Sequence, residues 1–190
     1  MNDLIIALYK EKDSLNIIEK FSREYQYRPI IYNKGGLKVK SRIFKNINLR
    51  NIGLHTHSYL YHIVENYENL SEVTIFLLGS GFRDKKKAKK ADWILRNGNN
   101  CKGFMAQHIW LSEANDYEFE LPHYEVFDYS KRWLKANSKR IKTKMIRAET
   151  KPLGKWIEKN TNQIFPNKRF LRSSKCIFAA HKNLIHRRPL

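Results

Sequence analysis

The sequence predicts a layered α/β fold, with a mixed sheet flanked by helices, in a single domain that covers residues 1–190. Three observations lead to this prediction. Short apolar runs bounded by polar residues recur along the chain, as buried strands do. Segments with apolar residues at helical spacing lie between these runs. Neither an internal repeat nor a Gly/Ser-rich linker divides the chain, and its 190 residues are enough to enclose one core.

The first half of the chain alternates predicted strands and helices. In order, these elements are a strand at residues 4–9, a helix starting at Asp13 or Ser14, a strand at residues 28–32, a helix at residues 56–70 and a strand at residues 73–78. The helix at residues 56–70 has the clearest pattern, because Leu60, Ile63 and Val64 lie on one apolar stripe. The nearly continuous apolar run at residues 73–78 is typical of a central parallel strand.

The second half of the chain is less regular. A helix is predicted at residues 84–96, with an alanine-rich stripe opposite a cluster of lysines. Residues 116–121 alternate between carboxylates and apolar side chains, which indicates a strand with two different faces. The predicted elements at the end are a helix at residues 153–164, a strand at residues 176–180 and a helical turn at residues 181–186.

The composition limits the class of protein. A hydrophobic fraction of 42% favours a folded chain over a disordered one. Two cysteines without a CxxC pair suit a reducing compartment, and the apolar run at residues 4–8 is too short for a signal peptide or a membrane span. The sequence therefore predicts a cytoplasmic protein without a transmembrane segment.

The chain is strongly basic, with 37 Lys and Arg against 18 Asp and Glu and a net charge of +19. Such a charge attracts nucleic acid, an anionic membrane surface or a phosphorylated small molecule. The basic runs at residues 85–90 and 131–151 could follow a nucleic-acid backbone, although a solvated helix face is the alternative explanation. No zinc-finger, KH or RNP-type motif supports nucleic-acid binding, and A/T-rich codons would also produce a Lys-rich chain.

Ligands of parallel sheets bind beyond the carboxyl ends of the strands. Three predicted strands end there in polar loops, at Tyr9-Lys10-Glu11, at Tyr32-Asn33-Lys34-Gly35-Gly36 and at Gly79-Ser80-Gly81-Phe82-Arg83. Lys34 and the two glycines after it would present a cation and close backbone amides to a phosphate. A plain turn with a solvated lysine is the alternative. The Gly79 loop lacks the spacing of a phosphate-binding motif and predicts a turn.

Histidines and carboxylates form two further candidate groups. His55, His57 and His62 suggest zinc, but a helix rotates His62 away from His57, so capping or acid–base roles are alternatives. The carboxylates at residues 116–128, among them Asp116 and Glu118, could hold a divalent metal or supply a general base. Solvated strand residues explain them equally well, and the chain contains no Asp-x-Asp pair.

Four blocks of the sequence, taken in order, resemble a family of largely uncharacterised, glycosyltransferase-like domains of fungi, bacteria and large DNA viruses. The blocks are IYNKG at residues 31–35, NIG at residues 51–53 running into SYLYHIVENYENL at residues 58–70, TIFL at residues 74–77 and FAAHKNLIHRRPL at residues 178–190. The resemblance covers both ends of the chain and leaves residues 85–151 unassigned.

The resemblance implies a GT-A-like fold that transfers a sugar from a nucleotide-sugar donor to a hydroxyl of a glycan or protein acceptor. The donor site would be lined by Tyr9, Glu11, Tyr32, Asn33, Lys34, Gly35 and Arg83. Lys34 and Arg83, or a Mn²⁺ or Mg²⁺ ion, would neutralise the departing diphosphate. The candidates for the base that accepts the proton of the hydroxyl are Asp116, Glu118 and His57.

The sequence departs from the family pattern at three points. His55 stands where the family tends to carry an acid, no acid pair for a metal follows the third strand, and relatives continue beyond Pro189-Leu190. A domain shortened at its C-terminus is therefore expected. Two alternatives stay open, a basic nucleic-acid-binding protein without catalytic activity and a degenerate glycosyltransferase fold that acts as a binding module.

Overall fold

A computed structural model describes residues 1–107, 109–111, 150–161, 164, 171–173 and 176–187. The chain divides into two compact units, one of Met1–Ile109 with Ser173–Leu190 and the other of Trp110–Arg172. The first unit contains a six-stranded mixed sheet with helices, which confirms the predicted α/β class. In the second unit, the helix α4 spans Leu153–Thr161.

The large sheet joins strands from both ends of the chain. Its strands are β1 (Asp3–Leu8), β2 (Arg28–Asn33), β3 (Lys45–Asn48), β4 (Val73–Leu78), β5 (Phe104–Met105) and β8 (Phe178–His181). Their order is β3-β2-β1-β4-β8-β5. The first four strands in this order are parallel, whereas β8 runs antiparallel to both β4 and β5. Strands β6 (Ile109–Leu111) and β7 (Leu171–Ser173) form a separate two-stranded sheet.

Helices cover both faces of the large sheet. They are α1 (Asp13–Glu24), α2 (Leu54–Glu65), α3 (Lys85–Asn97) and the short α5 (Lys182–Ile185). Because side chains alternate along a strand, Leu4 and Ile6 of β1 join one core cluster with residues of α1 and α3. Ile5 of the same strand joins a second cluster with Tyr59 of α2. The sheet therefore separates two cores, and α2 lies opposite α1 and α3.

The buried face of α2 is not the apolar stripe that marks this helix in the sequence. The side chains of Leu60 and Val64 are 56% and 51% exposed, while Ser58, Tyr59 and His62 are buried. The reason lies in the sheet. The ring of Tyr59 packs 5.0 Å from that of Phe76, and Nδ1 of His62 lies 3.0 Å from the hydroxyl of Tyr32 in β2. The Nε2 atom of His62 has no hydrogen-bond partner among the described residues. Contacts with residues of the sheet thus determine which face of α2 is buried, and the apolar stripe of the helix does not.

The ends of α3 and α2 follow from local chemistry. Asp84 caps α3 by accepting hydrogen bonds from the amides of Lys86 and Lys87. Helix α2 ends at Glu65, before the predicted end, because the side chain of Asn66 bonds to the carbonyl of His62 and the chain turns into a short 3₁₀ helix.

None of the helices in the described ranges has the length and apolar character that crossing a lipid bilayer requires.

Candidate ligand-binding site

The loops after β1, β2 and β4 meet at the point where the strand order of the sheet reverses. From β1 the chain passes through α1 to β2 on one side, whereas β4 lies on the other side of β1. In open α/β sheets this reversal leaves a crevice beyond the carboxyl ends of the strands, and ligands bind there. The three loops identified in the sequence therefore lie at one edge of the first unit.

The loops after β1 and β4 pack closely against each other. The Glu11 carboxylate oxygen Oε2 accepts hydrogen bonds from the amides of Tyr9 (2.8 Å) and Lys10 (3.0 Å). A Cβ atom at Gly79 would lie 2.8 Å from the same oxygen. The hydroxyl of Ser14 at the start of α1 donates to the Gly79 carbonyl at 2.6 Å. Glu11 therefore satisfies the amides at the end of β1, and Gly79 leaves space for its carboxylate.

Arg83 brings a cation to this junction. Its Nη2 atom donates to the carbonyl oxygen of Lys10 at 3.2 Å and lies 3.9 Å from Asp13 Oδ2. The Lys10 ammonium lies 5.2 Å from the centre of the Tyr9 ring. The structure thus brings together three of the predicted donor-site residues, Tyr9, Glu11 and Arg83, with Lys10 as a further cation.

Asn33 and Gly35 shape the loop after β2. The Asn33 side chain accepts hydrogen bonds from the amides of Gly35 and Leu37, both at 3.2 Å, and donates to the Leu37 carbonyl at 2.7 Å. A Cβ atom at Gly35 would lie 1.5 Å from the carbonyl oxygen of Tyr9. Both polar atoms of the Asn33 side chain are used inside the loop, and the glycine lets this loop touch the loop after β1.

Lys34 reaches from the same loop to the beginning of α2. Its ammonium group donates to the carbonyl oxygens of Ile52, at 2.6 Å, and of Leu54. Among the described residues, no side chain caps this end of α2 through a hydrogen bond, and its first turn contains no acid. Helix geometry leaves the first amides without intrahelical acceptors, so the positive end of the helix dipole adds to the charge of the lysine. Burial lowers the pKa of Lys34. The ammonium group of Lys34 and the positive end of α2 together favour the binding of an anion at this place.

Two histidines lie in the first turn of α2. Burial, together with the charges of Lys34 and Lys87, lowers the pKa of His55, which favours the neutral imidazole. The Nδ1 atom of His57 is buried and has no hydrogen-bond partner among the described residues. A neutral imidazole can accept a proton, so His55 joins His57 as a candidate base.

Tyr32 does not reach the crevice, although it was predicted to line the donor site. Its side chain is 1% exposed, and its hydroxyl lies 3.0 Å from Nδ1 of His62 inside the core. His62 in turn lies 3.9 Å from Asp3, at the amino end of β1 and away from the loops. Period-2 alternation places Tyr32 on the face that α2 covers, which explains why it is buried.

A metal site is not assembled in the part of the chain that the structure describes. No group of three or more His, Cys, Asp or Glu side chains in these residues is placed to hold an ion. Asp116 and Glu118, two of the predicted catalytic residues, lie outside the described residues. At the crevice, Oε2 of Glu11 is already bound to two amides. The expected Mn²⁺ or Mg²⁺ therefore has no ligand set among the described side chains.

An open cleft lies beside the loops, at the carboxyl ends of β2 and β3. Its volume is about 490 Å³, within the range of small-molecule sites. The cleft is lined by Asn33, Asn46 and Asn48 and by the segment that follows Gly35. Asn46 and Asn48 are exposed, so their amides are accessible to a polar ligand.

Some of these site residues could not be assigned from the sequence. Lys87 belongs to a lysine run that looks like a solvated helix face, yet its charge adds to burial and to Lys34 in lowering the pKa of His55, 32 positions earlier in the chain. Ser14 reads as a helix cap but bonds to Gly79. The only local signal for either residue is a polar side chain near a helix start, and many residues of this chain share it.

Comparisons of this chain with protein-family models, with curated proteins and with solved structures found no match. The fold and the site by themselves define its class. It is an α/β domain in which three loops, bearing Lys10, Lys34 and Arg83, meet at the switch point of a mixed sheet.

Proposed function

We propose that this chain is a glycosyltransferase-like domain that binds a nucleotide-sugar donor at the carboxyl edge of β1, β2 and β4. The observation that carries the proposal is the meeting of the three loops at the switch point, with Lys34 held at the uncapped start of α2. A diphosphate matches this arrangement because it is doubly anionic and can accept hydrogen bonds from ammonium, guanidinium and backbone amide groups. The four sequence blocks that resemble glycosyltransferase-like domains support the same class.

The nucleoside part of the donor fits the adjacent cleft. Amide side chains present both donors and acceptors, as the edge of a base and the hydroxyls of a ribose require. Asn46 and Asn48 present such groups in the cleft of about 490 Å³, and the half-buried ring of Tyr9 lies at the neighbouring loop. The diphosphate would then extend from this cleft towards Lys34 and Arg83.

The proposed reaction is the transfer of a glycosyl group from the donor to the acceptor. The bond between the anomeric carbon and the diphosphate oxygen breaks, and its electron pair leaves with the diphosphate. An acceptor hydroxyl oxygen forms the new bond to that carbon, and its proton passes to a base. Lys34, Arg83 and the first amides of α2 stabilise the charge that develops on the leaving group. His57 and His55 are the described candidates for the base in an inverting reaction, and Asp116 and Glu118 stay predictions.

Calorimetric titration with a panel of UDP-, GDP-, ADP- and dTDP-sugars, with and without Mn²⁺ or Mg²⁺, tests the proposal. We expect saturable binding of at least one donor, and about tenfold weaker binding by Lys34→Ala, since a hydrogen bond to a charged group is worth roughly 1.5–3 kcal/mol. Lys20→Ala is the matched control, because Lys20 is an exposed lysine of α1 and its loss changes the charge equally.

The two variants and the donor panel also distinguish the alternatives. If no donor binds to the wild-type chain, the proposal is wrong. If Lys20→Ala weakens binding as much as Lys34→Ala does, the attraction is a bulk charge effect. Release of free sugar from a donor that binds would separate an active enzyme from a degenerate fold that acts only as a binding module.

A further inference from the structure

A basic groove runs between α1 and the segment of residues 36–44 that joins β2 to β3. It is open to solvent and has a volume of about 910 Å³. Five cationic side chains and a single carboxylate line it: Lys12, Arg23, Lys38, Lys40, Arg42 and Glu19. The carboxylate is already engaged, because Glu19 Oε1 lies 2.8 Å from Arg23 Nη2. Among the described residues, no acidic side chain pairs with the other four cations. The groove therefore presents uncompensated positive charge.

In the segment of residues 36–44, exposed cationic side chains alternate with half-buried apolar ones. Lys38 and Lys40 are exposed, whereas Leu37 and Val39 are half-buried and pack against the core cluster beneath α1. Alternation of this kind places side chains two residues apart on the same side of the chain, at a spacing of roughly 7 Å when the chain is extended. Arg42, in the turn that follows, is also exposed and lines the same groove. The result is a line of charges along one wall of the groove.

The groove begins at the proposed donor site. Lys12 directly follows Glu11, whose carboxylate lies at the junction of the loops. Gly36 directly follows Gly35, which touches the carbonyl of Tyr9. A chain-like ligand in the groove would therefore have one end at the crevice where the proposed transfer takes place.

We infer that this groove binds an acidic glycan, a sugar chain that bears carboxylate or phosphate groups, as the acceptor of the transfer. The inference rests on the proposed function. The row of cations matches repeated negative charges, and Asn16 and Ser41 line the groove with groups that can bond sugar hydroxyls.

The lining favours a glycan over a single-stranded nucleic acid. Proteins that bind single strands stack the bases on exposed aromatic rings. The aromatic side chain that lines this groove, Phe44, is 8% exposed and belongs to the core. The remaining apolar lining is aliphatic, from Leu15, Leu37 and Val39.

Direct binding of defined oligomers tests this inference. The probes are a galacturonic acid hexamer, a phosphorylated maltohexaose, unmodified maltohexaose as the neutral chain and a single-stranded RNA 12-mer. The groove variant is Arg23→Gln/Lys40→Gln/Arg42→Gln, which leaves Lys38 in place because Lys38 also lines the cleft proposed for the nucleoside. The control variant Lys86→Gln/Lys89→Gln/Lys102→Gln removes the same charge from exposed lysines that do not line the groove.

We expect one or both acidic hexamers to bind the wild-type chain and the control variant alike, and to bind the groove variant at least about tenfold more weakly. The one that binds identifies carboxylate or phosphate as the recognised group. The inference is wrong if the neutral chain binds as well as the acidic ones, if both variants lose affinity equally, or if RNA is the probe whose binding depends on the groove.

Titration of the wild-type chain and both variants with nucleotide sugars tests the proposed function independently of the groove. The groove variant retains Lys34, Lys38 and Arg83, so its affinity for a nucleotide sugar should match that of the wild-type chain. Loss of acidic-glycan binding together with intact donor binding locates the effect in the groove. A chain that binds no donor but binds the acidic hexamer through the groove would refute the donor site and leave the groove as a glycan site.

Discussion

Gly35 and Gly79 allow the crevice to form, because a side chain at either position would collide with the loop after β1. The Cβ of an alanine at residue 35 would lie 1.5 Å from a backbone carbonyl oxygen, which cannot rotate away as a flexible side chain could. Lys34 is equally constrained, since it bonds to carbonyls 18 and 20 positions later in the chain. The sequence shows these residues as a polar turn, but it does not show what they touch.

We expect Gly35→Ala to lower the free energy of unfolding by more than about 2 kcal/mol, because the two loops would have to separate. Gly103→Ala is the matched control, since nothing lies within 4 Å of a Cβ atom at that position. Its expected change is below about 0.5 kcal/mol. Urea denaturation followed by circular dichroism measures both, and similar losses in the two variants would contradict the contact between the loops.

At the scale of the elements, several boundaries could be predicted because they depend on neighbouring residues. The strand at β4 matches its predicted range of residues 73–78, and the helix α3 begins after the Asp84 cap. The sequence does not predict strand β3, since KNIN carries no strand pattern and three of its four side chains are exposed. Backbone pairing with β2 makes it a strand, and that pairing is not visible in a single segment.

Helix α2 offers a direct test of which face packs on the sheet. We expect Tyr59→Ala to cost about 3 kcal/mol of stability, because the ring is 5% exposed and packs against Phe76 and Phe178. Leu60→Ala should cost less than about 1 kcal/mol, because that side chain is 56% exposed. Thermal and urea unfolding of the two neighbouring variants compares the two faces. A larger loss from Leu60→Ala would show that the apolar stripe is the buried face after all.

At the scale of the whole molecule, one sheet brings together residues from both ends of the chain. Strand β8 pairs with β4, about 100 positions earlier. On the α2 side of this sheet, His62, Asp3 and Tyr32 form a buried polar group with the half-exposed Arg28. Burial lowers the pKa of His62 to about 4, despite the opposing attraction of Asp3 and with smaller effects of Arg28 and Lys45. The folded chain therefore holds this histidine neutral.

This group predicts how stability depends on pH. Because the folded-state pKa of His62 lies below the unfolded value, the unfolded chain binds the extra proton between about pH 6.5 and 4. Its contribution to stability is complete above about pH 6.5 and is lost as the pH falls towards 4. Between pH 7 and 5 we expect a loss of roughly 2 kcal/mol that His62→Gln does not show. Urea titrations at several pH values measure the difference, and parallel slopes for the two proteins would refute it.

The α/β class, the strands β1, β2, β4 and β8, the main helices and the three polar loops can be predicted from the sequence, because periodicity, caps and turns depend on residues close together in the chain. Other features become visible only in the folded chain. Tyr32 lies in the core, α2 packs through Tyr59 and His62, and Lys34 contacts the start of α2. Helix α1 and residues 36–44 line a basic groove. These features depend on contacts between distant segments, and a local pattern does not specify which distant side chain will supply the partner.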